Sequence, residues 1–291
     1  MTEARFISYL EVKAPLDDRS LHPRVTTAFL EALAASRSRQ RGRNGPFRIL
    51  EAGAGIGTMA RRLESQGALS AIDFLLLDAS PGLLSEARRR LGKGESARFE
   101  YLESDIEGYA RRASAGTAPR VDAFVAHALL DLLDLPPLLP LLRETAFPGS
   151  PFWLSLVYDG LCAWEPTLDR GLEDLLGSEY NASMDERGHG GSRLGRALFS
   201  LLPASGFRIL DAGASDWAVF PREGRYLPGE ALFLDCILDF FEESLSRRPA
   251  VPAAELTSWL AARRAQVAAG EAVFLARNID FLAENPGNPA C

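Results

Sequence analysis

The chain has 291 residues, 47% of them apolar and 24% charged, with a net charge of -7. That composition supports a large buried core, and the acidic balance argues against a nucleic-acid partner, which usually demands a basic surplus. Cys162, Cys236 and Cys291 are too scattered for a disulfide framework or a zinc site, and residues 1–19 lack the apolar centre of an export signal. The richest apolar run, 128–142, is broken by Asp131, Asp134 and three prolines, so no membrane span is expected and the protein is read as cytoplasmic.

In chain order, residues 1–45 read as a helical cap and an Arg-rich linker. Residues 47–52 form a first strand, and 57–66 a helix with Met59, Ala60 and Leu63 on one face. The continuous apolar run 72–77 suits a strand buried on both faces. Ser80 and Pro81 then open a helix to Leu91, as N-cap and first-turn residue. Strands follow at 97–102 and 121–126, a helix at 132–145 and a fifth strand at 152–157. This alternation predicts a doubly wound α/β fold with a mostly parallel sheet, its core over 46–158. Residues 159–205 carry glycines, acids, arginines and two helices (168–176 and 193–204), and read as a lid inserted after strand five. A sixth strand (207–212), two helices (230–246 and 253–269) and a seventh strand (271–282) complete the same domain over 206–291.

The sharpest local signal is Glu51-Ala-Gly53-Ala-Gly55-Ile-Gly57, directly after the first strand and before a helix. Gly53 and Gly55 permit a tight turn and a ligand against bare backbone. Gly57 lets the helix start close to the sheet, and the free N–H groups at the helix start suit a polar ligand. Open α/β sheets bind cofactors in this crevice. A dinucleotide fingerprint would put its third glycine where Thr58 stands. Here that glycine comes one residue earlier, and an acid stands two residues before the first.

In that form the turn resembles motif I of the class I S-adenosylmethionine-dependent methyltransferases. The resemblance covers most of the chain and is most specific over 48–157. It implies S-adenosylmethionine as cofactor and an antiparallel last strand. It places Glu51 near the cofactor's amino-acid end, Asp78 with Ala79 on the ribose hydroxyls, and Asp105 with Ile106 on the adenine. Tyr9, Asp18 and Arg19 lie in the segment that closes over the cofactor, where Arg19 would pair with the methionine carboxylate. Glu51 departs from the commoner Asp. No Asn/Asp-Pro-Pro-aromatic motif and no cysteine follow the fourth strand, which argues against nucleobase acceptors. Arg208–Ala214 nearly repeats 48–54 but lacks the later glycines, and reads as an ordinary strand.

Methyl transfer from a sulfonium is an in-line displacement with a good leaving group, so positioning can supply much of the rate. His127, at the end of the fourth strand, is the candidate general base, and Tyr158, ending the fifth, would orient the acceptor. On the lid, His189, Arg193 and Arg196 would bind a carboxylate or phosphate of a small-molecule acceptor. Asp131, Asp134 and Asp159 lack the spacing of a carboxylate metal site, and no metal is expected. The Arg37–Arg43 run reads as solvated. The expected function is O- or N-methylation of a small molecule. The alternatives are a non-catalytic S-adenosylmethionine binder and a nicotinamide oxidoreductase, the latter disfavoured by Thr58.

Overall fold

Five parallel strands form the centre of the sheet: β1 (Phe47–Ala52), β2 (Ile72–Asp78), β3 (Ala97–Glu103), β4 (Ala123–His127) and β5 (Pro151–Glu165). The computed structural model describes residues 1–40, 43, 45–92, 97–188 and 190–287. Two further strands extend the sheet beyond β5, β6 (Arg208–Ala214) and β8 (Val273–Glu284), with a short β7 (Trp217–Val219) pairing β8. The order is β3-β2-β1-β4-β5-β8-β6, and β8 runs antiparallel to β5, β6 and β7.

Both faces are covered, which is why β2 is apolar almost throughout. Phe74 and Leu76 enter one core with Phe29 and Leu33 of α2 (Pro23–Gln40), Met59 and Leu63 of α3 (Thr58–Ser65), and Leu84 of α4 (Pro81–Leu91). Leu75 and Leu77 point the other way, as alternation along a strand requires. They meet Tyr109 of α5 (Ile106–Ser114), Leu138 and Leu142 of α6 (Leu135–Thr145), and Leu198 of α8 (Leu194–Ala204). Each such side chain contributes about 1.5–3 kcal/mol by burial. A third core joins Tyr9 and Leu16 of α1 (Glu3–Ser20) to Leu176 of α7 (Arg170–Asp185). It also takes in Phe233 and Phe241 of α9 (Glu230–Leu245), Trp259 of α10 (Ala253–Ala269), and Trp164 and Phe274 of the strand extensions.

Four sequence expectations change. Among the described residues there are eight strands rather than seven, because β5 and β8 run on past the main sheet and β7 pairs with the added length of β8. Strand five does not stop at Val157. It passes two register shifts against β8 and continues to Glu165, through residues read as the start of a lid. Of the two helices assigned to that lid, α8 packs on the sheet through Leu194, Leu198 and Leu202. Helix α5 was not anticipated, although Ile106, Tyr109, Ala110 and Ala113 form a helical stripe and Asp105 caps it. Among the described residues, no helix is long and apolar enough to cross a membrane.

Candidate functional site

The strand order reverses between β1 and β4, so their carboxy ends flank the natural crevice of the sheet. Glu51 stands near one end and His127 at the other. After β1 the chain turns through Gly53 (φ +64°) and Gly55 (φ +53°), left-handed backbone that favours glycine. The Ala54 N–H donates to the Leu77 carbonyl (2.9 Å), and the Gly55 N–H donates to Asp78 Oδ2 (2.8 Å). Asp78 Oδ1 accepts from the Ser80 N–H (2.9 Å). A carboxylate has about four acceptor positions, so Asp78 keeps capacity toward the crevice it lines.

Glu51 is 2% exposed, and its Oε2 has no hydrogen-bond partner. Burial, with the neighbouring Asp78 charge, pushes its carboxyl up to about 8 against the pull of Arg62, so it is mostly protonated at neutrality. Above the turn the space is not bare. A Cβ on Gly53 would stand 2.7 Å from Leu129 Cδ1, and one on Gly55 3.2 Å from Leu10 Cδ1. The room these glycines leave is therefore taken in part by two leucines. A side chain at Gly57 would meet Leu91 at 2.8 Å, so that glycine lets α3 and α4 pack closely.

From the turn a cavity of about 470 Å³ runs past His127 to Tyr158, Tyr180 and Phe241. Such a volume suits a small molecule. One wall is α1, which contributes Phe6, Tyr9, Leu10, Lys13 and Asp17, the 3.6-residue stripe of a single helix face. Asp18 and Arg19 turn off that face. Asp18 pairs with Arg62, and Arg19 pairs with Glu230 instead of reaching the cavity. Ala128 (φ +49°) and Leu156 (φ +53°) also line the cavity, two non-glycine residues in the left-handed region, where strain commonly marks functional sites.

His127 lines this cavity with both ring nitrogens engaged. Its Nδ1 lies 2.8 Å from Ser155 Oγ, and its Nε2 3.0 Å from Asp17 Oδ2. Asp17 also accepts from Lys13 Nζ and from Trp217 Nε1 (3.1 Å). Burial, only partly offset by Asp17, pulls His127 down to about 4. The neutral ring then donates Nε2–H to Asp17 and accepts from Ser155 at Nδ1, an assignment made from the network. Burial opposes ionisation of Asp17 too, but Lys13 and His127 outweigh it and hold that carboxyl below its ordinary value. Tyr158 lines the cavity with its hydroxyl engaged, donating to Asn181 Oδ1 (3.0 Å) and accepting from Cys162 Sγ (3.4 Å). Burial raises it far above the usual phenol range.

Other sequence candidates fall outside the cavity. Asp105 caps α5, accepting from the Gly108 N–H (2.5 Å), and Ile106 turns into the sheet core. Ala79 is exposed on the approach to α4. Arg196 grips both carboxylate oxygens of Asp159 (2.7 and 3.0 Å), and Arg193 occupies the cap position of α8; neither lines the cavity. His189 lies outside the described residues. Arg37 and Arg39 donate to the carbonyls of Ser70 (2.8 Å) and Gly149 (2.6 Å), and Arg43 pairs with Asp122, so these arginines tie the linker to the sheet. Among the described residues, no group of three or more His, Cys, Asp or Glu is gathered for a metal. Sequence reasoning missed Lys13, Asp17, Tyr180, Met184 and Arg187 in the lining. The i, i+4 spacings of 9-13-17 and 180-184 were the available signal.

No known protein family and no curated protein matches the chain. Among solved structures it is similar to a candidate methyltransferase from Bacillus halodurans, at 14% identity and a TM-score of 0.50, over 88% of this chain and 99% of that one. A cyclopropane synthase from Mycobacterium tuberculosis aligns at 12% identity and a TM-score of 0.47, over 82% of this chain and 78% of that one. The protein shares its fold with the Bacillus halodurans structure.

Proposed function

We propose that the protein is a methyltransferase that uses S-adenosylmethionine to methylate a small molecule inside the 470 Å³ cavity. The observation that carries this reading is Glu51, a buried acid with an unpartnered oxygen, on the same cavity as the glycine turn and Asp78. An orphaned buried oxygen costs about 1–3 kcal/mol, which a donor from a ligand would relieve. The residues present fit the cofactor: Glu51 toward an ammonium group, and the remaining acceptor capacity of Asp78 toward hydroxyls. The shared fold with a candidate methyltransferase supports the reading by analogy.

When bound, the sulfonium supplies a methyl group on a good leaving group. This chain's residues bind, orient and exclude water. Tyr9, Leu10, Leu129 and Tyr180 wall the cavity, and His127 positions α1 against β4 and β5 through Asp17 and Ser155. Leu10 and Leu129 sit over the turn, so a cofactor held there would meet these two side chains. Side-by-side calorimetry with S-adenosylmethionine, S-adenosylhomocysteine and NAD tests the cofactor. Micromolar binding of S-adenosylhomocysteine, on the order of -8 kcal/mol, is expected, and none of NAD. Failure of the folded protein to bind S-adenosylhomocysteine would end this reading.

A second reading is a non-catalytic binder of the same ligand, favoured by the full engagement of His127. It predicts S-adenosylhomocysteine binding with no transfer of tritiated methyl to any acceptor in a metabolite extract.

A further inference from the structure

We infer that the far end of the cavity recognises an amine nitrogen, with Asp131 as its counter-charge and Tyr9, Tyr158 and Tyr180 lining the same cavity. This rests on the methyltransferase reading of the same cavity and narrows its acceptor class.

Asp131 follows β4 in a single 3-10 turn (Leu130–Leu132) and lines the cavity. Tyr9, Tyr158 and Tyr180, which come from α1, β5 and α7, line the same cavity, and the Asp131 charge adds to the burial that keeps their hydroxyls protonated. It has little to pair with. Its own backbone N–H bonds to it, and Arg187 and Lys13 act on it from a distance. Lys13 is already paired with Asp17, and among the described residues no cation stands within ion-pair distance of Asp131. Burial raises its carboxyl above the usual range, the mark of an acid that lacks a close partner.

The surroundings are aromatic and apolar. Tyr180 stacks on Phe241 (4.3 Å, 3°), Tyr9 meets Phe240 edge-on (5.2 Å), and Met184 and Phe274 complete the wall. A carboxylate in an aromatic-walled cavity attracts ammonium groups by ion pairing, and aromatic surroundings favour a cation over an anion. Among the described residues the cations lining the cavity are Lys13, already paired with Asp17, and Arg187, exposed on its loop, so an Asp131 carboxylate disfavours a carboxylate or phosphate there. The arginines once expected to bind an anionic acceptor lie elsewhere, with Arg196 held by Asp159. An alcohol would gain a hydrogen bond but neither charge term.

The test is a matched series titrated into the full-length protein by calorimetry: 2-phenylethylamine, 2-phenylethanol and 3-phenylpropionate. It is run with S-adenosylhomocysteine at saturation and again without it, so the preference is read however that ligand behaves. The amine should bind about tenfold or more tighter than the alcohol, and the acid weakest. Asp131→Asn should remove most of the amine's advantage and leave the alcohol unchanged. The wild-type series decides the matter even if that variant folds poorly. An alcohol or acid that binds as well as the amine, an amine that does not bind, or an Asp131→Asn variant that weakens both equally would overturn the inference. A normal S-adenosylhomocysteine titration with no amine preference would remove the amine alone, whereas loss of that titration removes the methyltransferase reading.

Discussion

The two ends of the cavity are built in different ways. The turn end is one short segment, Glu51 to Gly57, plus Asp78, fixed by backbone hydrogen bonds to β2 and to Asp78 itself. The far end collects side chains from α1, the turn after β4, β5, α7, α9 and β8. The first is sensitive to any change in local backbone. The second depends on how elements far apart in the chain meet.

Four measurements press on that contrast. Gly55→Val should abolish measurable S-adenosylhomocysteine binding, because it forces a branched residue into φ +53° and drives it against Leu10. Circular dichroism should show the fold retained, since Gly55 itself lies outside the three cores. Normal binding would mean the turn end is not the site. Asp78→Ala should weaken the same ligand by about 1.5–3 kcal/mol, read by calorimetry. The loss should be smaller for a 2′-deoxyribose analogue, and equal losses would place Asp78 away from the ribose.

The third measurement follows protons. Glu51 sits at about 8 in the folded protein against an ordinary 4.5, so the native state binds more protons than the unfolded one between those values. Its contribution is therefore present at low pH and lost as pH rises through that window. Glu51→Gln should flatten the fall in Tm between pH 6 and pH 8. A ligand ammonium at Glu51 would ionise it, so binding at pH 7 should release up to one proton. The calorimetric heat should then differ between phosphate and Tris buffers, and identical heats would detach Glu51 from the ligand's amine. His127 behaves oppositely. Held at about 4 against an ordinary 6.5, its contribution is present above 6.5 and lost as pH falls toward 4. No histidine limb should therefore appear in a pH–rate profile near neutrality. The smallest effect belongs to Arg196→Ala, which should leave binding of both cofactor and acceptor within about twofold, as befits an ion pair outside the cavity. A large loss there would return the acceptor site to the α8 side.

Much of the fold was legible because local pattern and tertiary burial agree. The doubly buried run of β2, the Ser80-Pro81 start of α4 and the glycine turn each have a short-range physical cause. Helix α5 was equally legible, with Asp105 as cap and an apolar stripe behind it, but a cofactor role for Asp105 and Ile106 obscured the simpler reading. The far wall was not legible in that way. Tyr9 was picked with Asp18 and Arg19 as neighbours in sequence, yet a helix advances about 100° per residue, and the neighbours of Tyr9 in space are Lys13 and Asp17.

By itself the sequence determined the order of most strands and helices, the position of the turn and the acid that precedes it. Those depend on hydrophobic period, capping and φ preference, all set within a few residues. Only the tertiary structure decided that His127 is engaged by Asp17 and Ser155, that Arg19 and Arg196 face other acids, and that Asp131 lines one cavity with three tyrosines. Each of these is a pairing between groups far apart in the chain. The nearest partner of a charge is chosen by how helices pack on the sheet, and no local spacing encodes that.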